Sequence, residues 1–166
     1  MIASEKYNLD VAGNSSADSE FAKRISQPCE AQFIIGGVRM DTFEVFINGK
    51  LALPEKEAGF AKIEWSKHPT FQGVELKHII TAKDTEGKFS YHLVRIAPDC
   101  SIGNHIHETQ LETHEVINGS GRCVNAGNAI PYEPGTISIM QAGVPHEVLA
   151  SSEGLYLFAK FMPAFC

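Results

Sequence analysis

The chain has 166 residues, a length that fits one domain and leaves little room for a second. Hydrophobic residues make up 43% and charged residues 20%, so the chain can bury a core and is neither disordered nor fibrous. The formal net charge is −6 with no window rich in Lys and Arg, so a nucleic acid would meet net repulsion rather than release counterions.

No apolar run approaches the ~20 residues that cross a bilayer, and Met1-Ile2-Ala3-Ser4-Glu5-Lys6 lacks the basic-then-apolar pattern of a signal peptide. A cytoplasmic location with no membrane and no nucleic-acid partner is therefore expected. Residues 1 to about 28 are rich in Ser, Asn, Asp, Ala and Glu and read as a polar arm, with a single domain over 31–166. Phe33-Ile34-Ile35, and then Phe43, Val45 and Ile47 alternating before Asn48-Gly49, read as a strand and hairpin. Pro54-Glu55-Lys56-Glu57 reads as the opening of a short helix, and Trp65 as a buried anchor.

Beyond Val74 the chain becomes a series of short apolar segments divided by turn residues. The segments are Val74 to Thr81, Phe89 to Ala97, Thr113 to Ile117, Arg122 to Ala126, Thr136 to Met140, His146 to Ala150 and Leu155 to Met162. The dividers include Pro98-Asp99, Asn118-Gly119-Ser120-Gly121, Pro134-Gly135, Gly143-Val144-Pro145 and Glu153-Gly154. Short strands at this spacing indicate an all-β antiparallel sandwich or barrel, not alternating βαβ units.

Cys29, Cys100, Cys123 and Cys166 are far apart and form no C-x-x-C pair, so free thiols are expected. The metal-ligand residue types concentrate elsewhere, between Asn104 and His146. His105 and His107 are two apart, so on an extended chain their imidazoles leave the same face. Glu112 follows far enough on for the chain to turn and return its carboxylate to the same centre. His146 comes directly after Gly143-Val144-Pro145, a turn that aims the first side chain of the next strand. Three imidazoles and one carboxylate suit a divalent transition metal (Fe, Mn, Ni, Cu or Zn), not Ca or Mg, which prefer oxygen shells.

The full pattern is His105-x-His107-x4-Glu112-x6-Gly119, then Gly135-x7-Gly143-x2-His146. It resembles the two signature motifs of the cupin superfamily in order, register and separation, over approximately Val74 to Met162. The resemblance implies a small single-domain double-stranded β-helix, or jelly-roll barrel, with motifs in 103–150, an N-terminal extension and few helices. It also implies His105, His107, Glu112 and His146 as metal ligands. Three positions depart from the motifs: Asp99 stands where a Gly is usual, Gln141 where a Pro is usual and Ala150 where an Asn is usual. None of the three is a ligand position.

Alternation from Glu112 puts His114 and Val116 on the interior face, with Thr113 and Glu115 outside. His114 is either an acid, base or substrate contact beside the metal or a structural histidine. Arg95 is read as facing solvent, Ser138 and Met140 as sharing one face that forms either a pocket wall or, as is the default for Met, core filling, and His68 and His78 are given no role. Glu112 is a candidate catalytic group as well as a ligand, because a carboxylate can accept a substrate proton. The resemblance implies either a metal-dependent enzyme on a small oxygenated metabolite (dioxygenase, isomerase, decarboxylase or lyase type) or a non-enzymatic ligand-binding or sensing domain. A homodimer is expected, with Phe43 to Ile47 as an edge that adds to a neighbour's sheet.

Overall fold

The computed structural model describes residues 33–35 and 38–166; the polar stretch 1–28 and Cys29 lie outside the described residues. Strands β1 (Phe33–Ile35) and β2 (Val38–Met40) pair as a short antiparallel hairpin. The segment that follows corrects the sequence reading, because Phe43, Val45 and Ile47 lie on helix α1 (Thr42–Ile47) and not on a strand. Asp41 caps the helix, its carboxylate accepting the Phe43 N–H at 2.7 Å. The decisive residue is Phe46, which the alternating pattern ignores. Phe43, Phe46 and Ile47 share one helical face, with Phe43 4.4 Å from the Tyr156 ring and Phe46 edge-on to Phe158 at 4.8 Å. A helix offers no backbone edge, so Phe43 to Ile47 cannot extend a neighbour's sheet.

A second correction concerns Pro54-Glu55, which is the turn between β3 (Lys50–Leu53) and β4 (Lys56–Gly59) rather than a helix start. Proline presets a φ that serves the first turn of a helix and the second position of a β-turn equally well. Here the antiparallel partner decides, and Lys50 pairs with Glu57 across the hairpin at 2.7 Å. A 3-10 turn (Phe60–Lys62) and β5 (Ser66–Lys67) follow. Trp65 is half-buried rather than sealed, with the Arg95 guanidinium 4.2 Å and the Lys77 ammonium 5.2 Å from its ring centre. Arg95 faces outward as expected and pairs with Glu75 at 2.6 Å.

The remaining elements build an all-β jelly roll: β6 (Val74–Ile80), helix α2 (Ala82–Thr85), β7 (Ser90–Ile96), β8 (Ser101–His105), β9 (Leu111–Asn125), β10 (Asn128–Tyr132), β11 (Ile137–Met140) and β12 (His146–Met162). The pairs expected as Thr113–Ile117 with Arg122–Ala126, and His146–Ala150 with Leu155–Met162, are each one long strand. Each bends where a turn was expected. The first half of β9 pairs with β11 and with the second half of β12, while its second half pairs with β10 and the first half of β12. In the same way β12 pairs with β8 early and β7 late. The two strands thus pass from one wall of the barrel to the other, with β7–β6–β5 continuing one wall.

Glycine makes the bend possible. A Cβ on Gly119, whose φ is +77°, would lie 2.2 Å from the Gly154 carbonyl oxygen, and one on Gly121 would lie 2.2 Å from that of Leu149. At the Pro98 turn Asp99 takes a left-handed φ of 57°, so aspartate does there what glycine usually does.

Strands β8 and β10 are missing from the series of apolar segments read as strands, although His105 and His107 were read on an extended strand; β8 ends at His105, and His107 lies beyond it. Gly103 and Asn104 interrupt the apolar pattern of β8, and Pro131 that of β10, where it is tolerated because, among the described residues, β10 pairs with β9 alone and lies at a sheet edge. Inside the barrel Val74, Val94, Ile96, Val116, Val148, Leu155 and Leu157 are buried. On the outer face of β7 and β12, Leu93 and Phe158 are covered by Phe43 and Phe60. Cys100, Cys123 and Cys166 are free thiols. No helix among the described residues is long and apolar enough to cross a membrane.

Candidate metal centre

His105 ends β8, Glu112 is the second residue of β9 and His146 opens β12, so three strand ends meet at one mouth of the barrel. His146 lies opposite His105 in the β12–β8 register. His107 sits two residues past β8, and its carbonyl accepts the Gly143 N–H at 2.9 Å, which ties the loop before His146 to the loop that carries His107. The structure therefore brings together all four residues expected as ligands. Their donor atoms lie within 4.8 Å of one another.

The ring orientations are set from behind. Nδ1 of His105 is 2.8 Å from the Gly103 carbonyl oxygen and Nδ1 of His146 is 3.1 Å from that of Val144. A carbonyl only accepts, so each Nδ1 carries the proton and Nε2 faces the centre. His107 also turns Nε2 inward, 3.1 Å from Nε2 of His105 and 3.1 Å from Oε2 of Glu112. Nε2 of His146 is 3.0 Å from the same oxygen. Two ligand atoms at right angles about an ion with ~2.1 Å bonds are ~3 Å apart. The spacing of this donor set fits one transition-metal ion.

Glu112 is 5% exposed, and its other oxygen, Oε1, accepts from Nε2 of His114 at 2.8 Å. Burial by itself would raise the pKa of this carboxyl. His114, His107 and His146 outweigh it and hold Glu112 well below the usual carboxylate range. At His105 burial dominates and lowers the pKa, aided by its two imidazole neighbours. At His146 burial also opposes protonation, but the Glu112 carboxylate and the Val144 carbonyl prevail and the net shift is upward.

His114 and Val116 are buried on the Glu112 face, and Thr113 and Glu115 lie on the other, as the alternation implies. His114 lies behind Glu112, with Nδ1 2.9 Å from the Tyr132 hydroxyl, which in turn hydrogen-bonds Ser138 beside Met140. Tyr132 belongs to the unexpected strand β10, and nothing in the local sequence marked it. Phe71 flanks His105 at 5.8 Å between ring centres, and Phe161 flanks His107 at 5.1 Å. His68, which had no role, caps its own turn, its Nδ1 accepting the N–H groups of Thr70 and Phe71 at 3.1 Å.

The two-motif arrangement on a jelly roll is matched by a family model, Cupin_2 (cupin domain), over residues 92–158. Over those residues the chain is similar to cupin domains. Solved cupin-fold structures similar to it include a predicted oxalate decarboxylase from Thermotoga maritima, at 20% identity and TM-score 0.58, with 62% of this chain and 95% of that one covered. KdgF from Halomonas sp. aligns at 16% identity and TM-score 0.55 over 62% of this chain and 88% of its own. The polyketide cyclase RemF from Streptomyces resistomycificus aligns at 20% identity and TM-score 0.56 over 65% and 78%. A comparison with the curated proteins finds no match. The donor set of the barrel mouth comes from both sequence motifs, with His105, His107 and Glu112 from the first and His146 from the second.

Proposed function

We propose that this cupin is a metal-dependent enzyme acting on a small oxygenated metabolite at one mononuclear centre. The observation that supports it is the convergence of His105, His107, His146 and Oε2 of Glu112, with Oε1 of Glu112 already held by His114. His105, His107, Glu112 and His146 would hold the ion. Three neutral imidazoles and one carboxylate oxygen leave a six-coordinate divalent ion two positions for substrate or water, and neighbouring positions favour a substrate that chelates through two oxygens. A bound divalent ion supplies Lewis-acid polarisation of a carbonyl or enolate oxygen and, if it is iron, manganese, copper or nickel, access to dioxygen chemistry.

The protein's part is orientation and proton handling. The ionised carboxylate of Glu112 would be suited to accept a substrate proton at Oε2 were that oxygen released from the ion, Oε1 being held by His114. His114 touches Glu112 and Tyr132 only from behind, so it is a positioning residue that holds the carboxylate in one orientation. Phe161 and Phe71 line the approach with apolar surface that limits water beside the ligands.

Two measurements test this reading. Elemental analysis of protein purified without added metal is expected to find iron, manganese, nickel, copper or zinc in excess of whatever His105→Ala/His146→Ala retains. Turnover of diketones, hydroxy acids and keto sugars, with and without oxygen, is expected for at least one class. Metal and tight ligand binding without conversion across the panel would assign the site to binding rather than catalysis.

A further inference from the structure

A second group of metal-ligating side chains lies outside the barrel-mouth centre. His78 on β6 and His92 on β7 are direct partners in the antiparallel register, and the pairing shifts just beyond them, between His78 and Ile80. Their Nδ1 atoms face each other at 2.9 Å, and the Cys166 thiol sulfur is 3.5 Å from Nδ1 of His78. The three donor atoms all lie within 4.8 Å of one another. Two facing Nδ1 atoms share at most one proton, so at least one lone pair points into the space that the sulfur also reaches.

The surroundings hold these groups in place. Nε2 of His92 is 2.9 Å from the Ser90 hydroxyl, and the same hydroxyl oxygen accepts the Phe165 N–H at 2.9 Å. One serine therefore anchors both the His92 ring and the segment that delivers Cys166. The main-chain oxygen of Cys166 accepts the Ala82 N–H at 2.5 Å at the start of α2, and Ala164 donates to the Gly87 carbonyl at 3.0 Å. Three main-chain contacts dock residues 164–166. His92 is fully buried, His78 is half-buried and Cys166 is exposed, which leaves an ion a route in from the sulfur side.

We propose that His78, His92 and Cys166 form a second metal site, one that takes a thiophilic ion of the zinc class with a fourth position open to solvent. One thiolate and two imidazoles are a donor set that a borderline-soft ion prefers and that hard Mg or Ca rejects. Binding is an exchange in which the Cys166 S–H proton leaves to solvent as the metal–sulfur bond forms, with no change of oxidation state. Ser90 then holds His92 by its Nε2–H, leaving Nδ1 as the ligand atom.

Cobalt(II) titration of the metal-free protein tests this, because among the described residues this is the donor group that includes a thiolate; the barrel-mouth donors are nitrogen and oxygen. The wild type is expected to develop a thiolate-to-cobalt charge-transfer band in the near ultraviolet that zinc abolishes. The band should persist in His105→Ala/His146→Ala and disappear in Cys166→Ser and in His78→Ala. Ser90→Ala should keep the band but require ~10–100-fold more cobalt to reach it. A wild type that shows no such band at saturating cobalt, or a band that survives Cys166→Ser, overturns the assignment. Circular dichroism of Cys166→Ser, an exposed and nearly isosteric change, checks that the loss is not unfolding.

Discussion

Glu112 and His114 are joined by a 2.8 Å bond that occupies Oε1 and leaves Oε2 as the only carboxylate oxygen facing His107 and His146. Replacing His114 with Phe frees the carboxylate to rotate while leaving all four ligands in place. Metal affinity at the barrel mouth is expected to fall ~10–100-fold. His146→Ala, which removes a ligand outright, should cost more. Competition titration against a chromogenic chelator measures both, and equal affinity in His114→Phe and wild type would contradict the positioning role.

Metal binding at the mouth should appear as stability. An ion present at ~100 times its dissociation constant is expected to add about 2.7 kcal/mol, which for a domain of this size raises Tm by roughly 5–11 °C. Thermal unfolding in a Cys166→Ser background isolates this centre from the His78–His92–Cys166 group. The increment should vanish when His105→Ala and His146→Ala are added.

Tyr91 makes alkaline stability pH-dependent. Burial raises the pKa of its phenol above the ordinary 10, and the hydrogen bond to Glu115 at 2.7 Å raises it further. The folded state therefore keeps a proton that the unfolded chain gives up near pH 10. This contribution is fully present below the unfolded value and is lost as pH rises from there towards the folded value. Urea unfolding at about pH 9 and about pH 11 should show a steeper loss for wild type than for Tyr91→Phe. Parallel slopes would remove Tyr91 from the account.

Gly119→Ala and Gly127→Ala have similar positive φ values, 77° and 80°, but different surroundings. A Cβ on Gly119 would strike the Gly154 carbonyl oxygen, whereas one on Gly127 meets nothing within 4 Å. Denaturant titration should give a loss of roughly 1 kcal/mol for Gly127→Ala and roughly 3 kcal/mol or more for Gly119→Ala, where backbone must move as well.

The candidate centre was legible in the sequence because each of its four donor residues is placed by a local rule. His105-x-His107 uses the extended repeat, Glu112 starts the next strand, and His146 follows a turn. The inward direction of His114 came from the same alternation. Helix α1 was misread because Phe43, Val45 and Ile47 satisfy a period of two while Phe43, Phe46 and Ile47 satisfy a helical face, and a six-residue segment is too short for periodicity alone to decide. Strands β8 and β10 were hidden by Gly103 and Pro131, which are tolerated because of neighbours that only the fold supplies. The meeting of His78, His92 and Cys166 depends on the β6–β7 register and on where the chain returns after β12, neither of which a local pattern encodes.

The bent strands β9 and β12 each belong to both walls, and each carries a candidate ligand within its first two residues. Glu112 and His146 reach each other once β9 and β12 have paired, a ladder that joins residues as far apart as Leu111 and Met162. Such long-range pairing is the slow part of a β topology. An ion at the mouth can thus clasp a finished barrel but cannot seed its assembly, so added metal should slow unfolding while leaving the refolding rate unchanged.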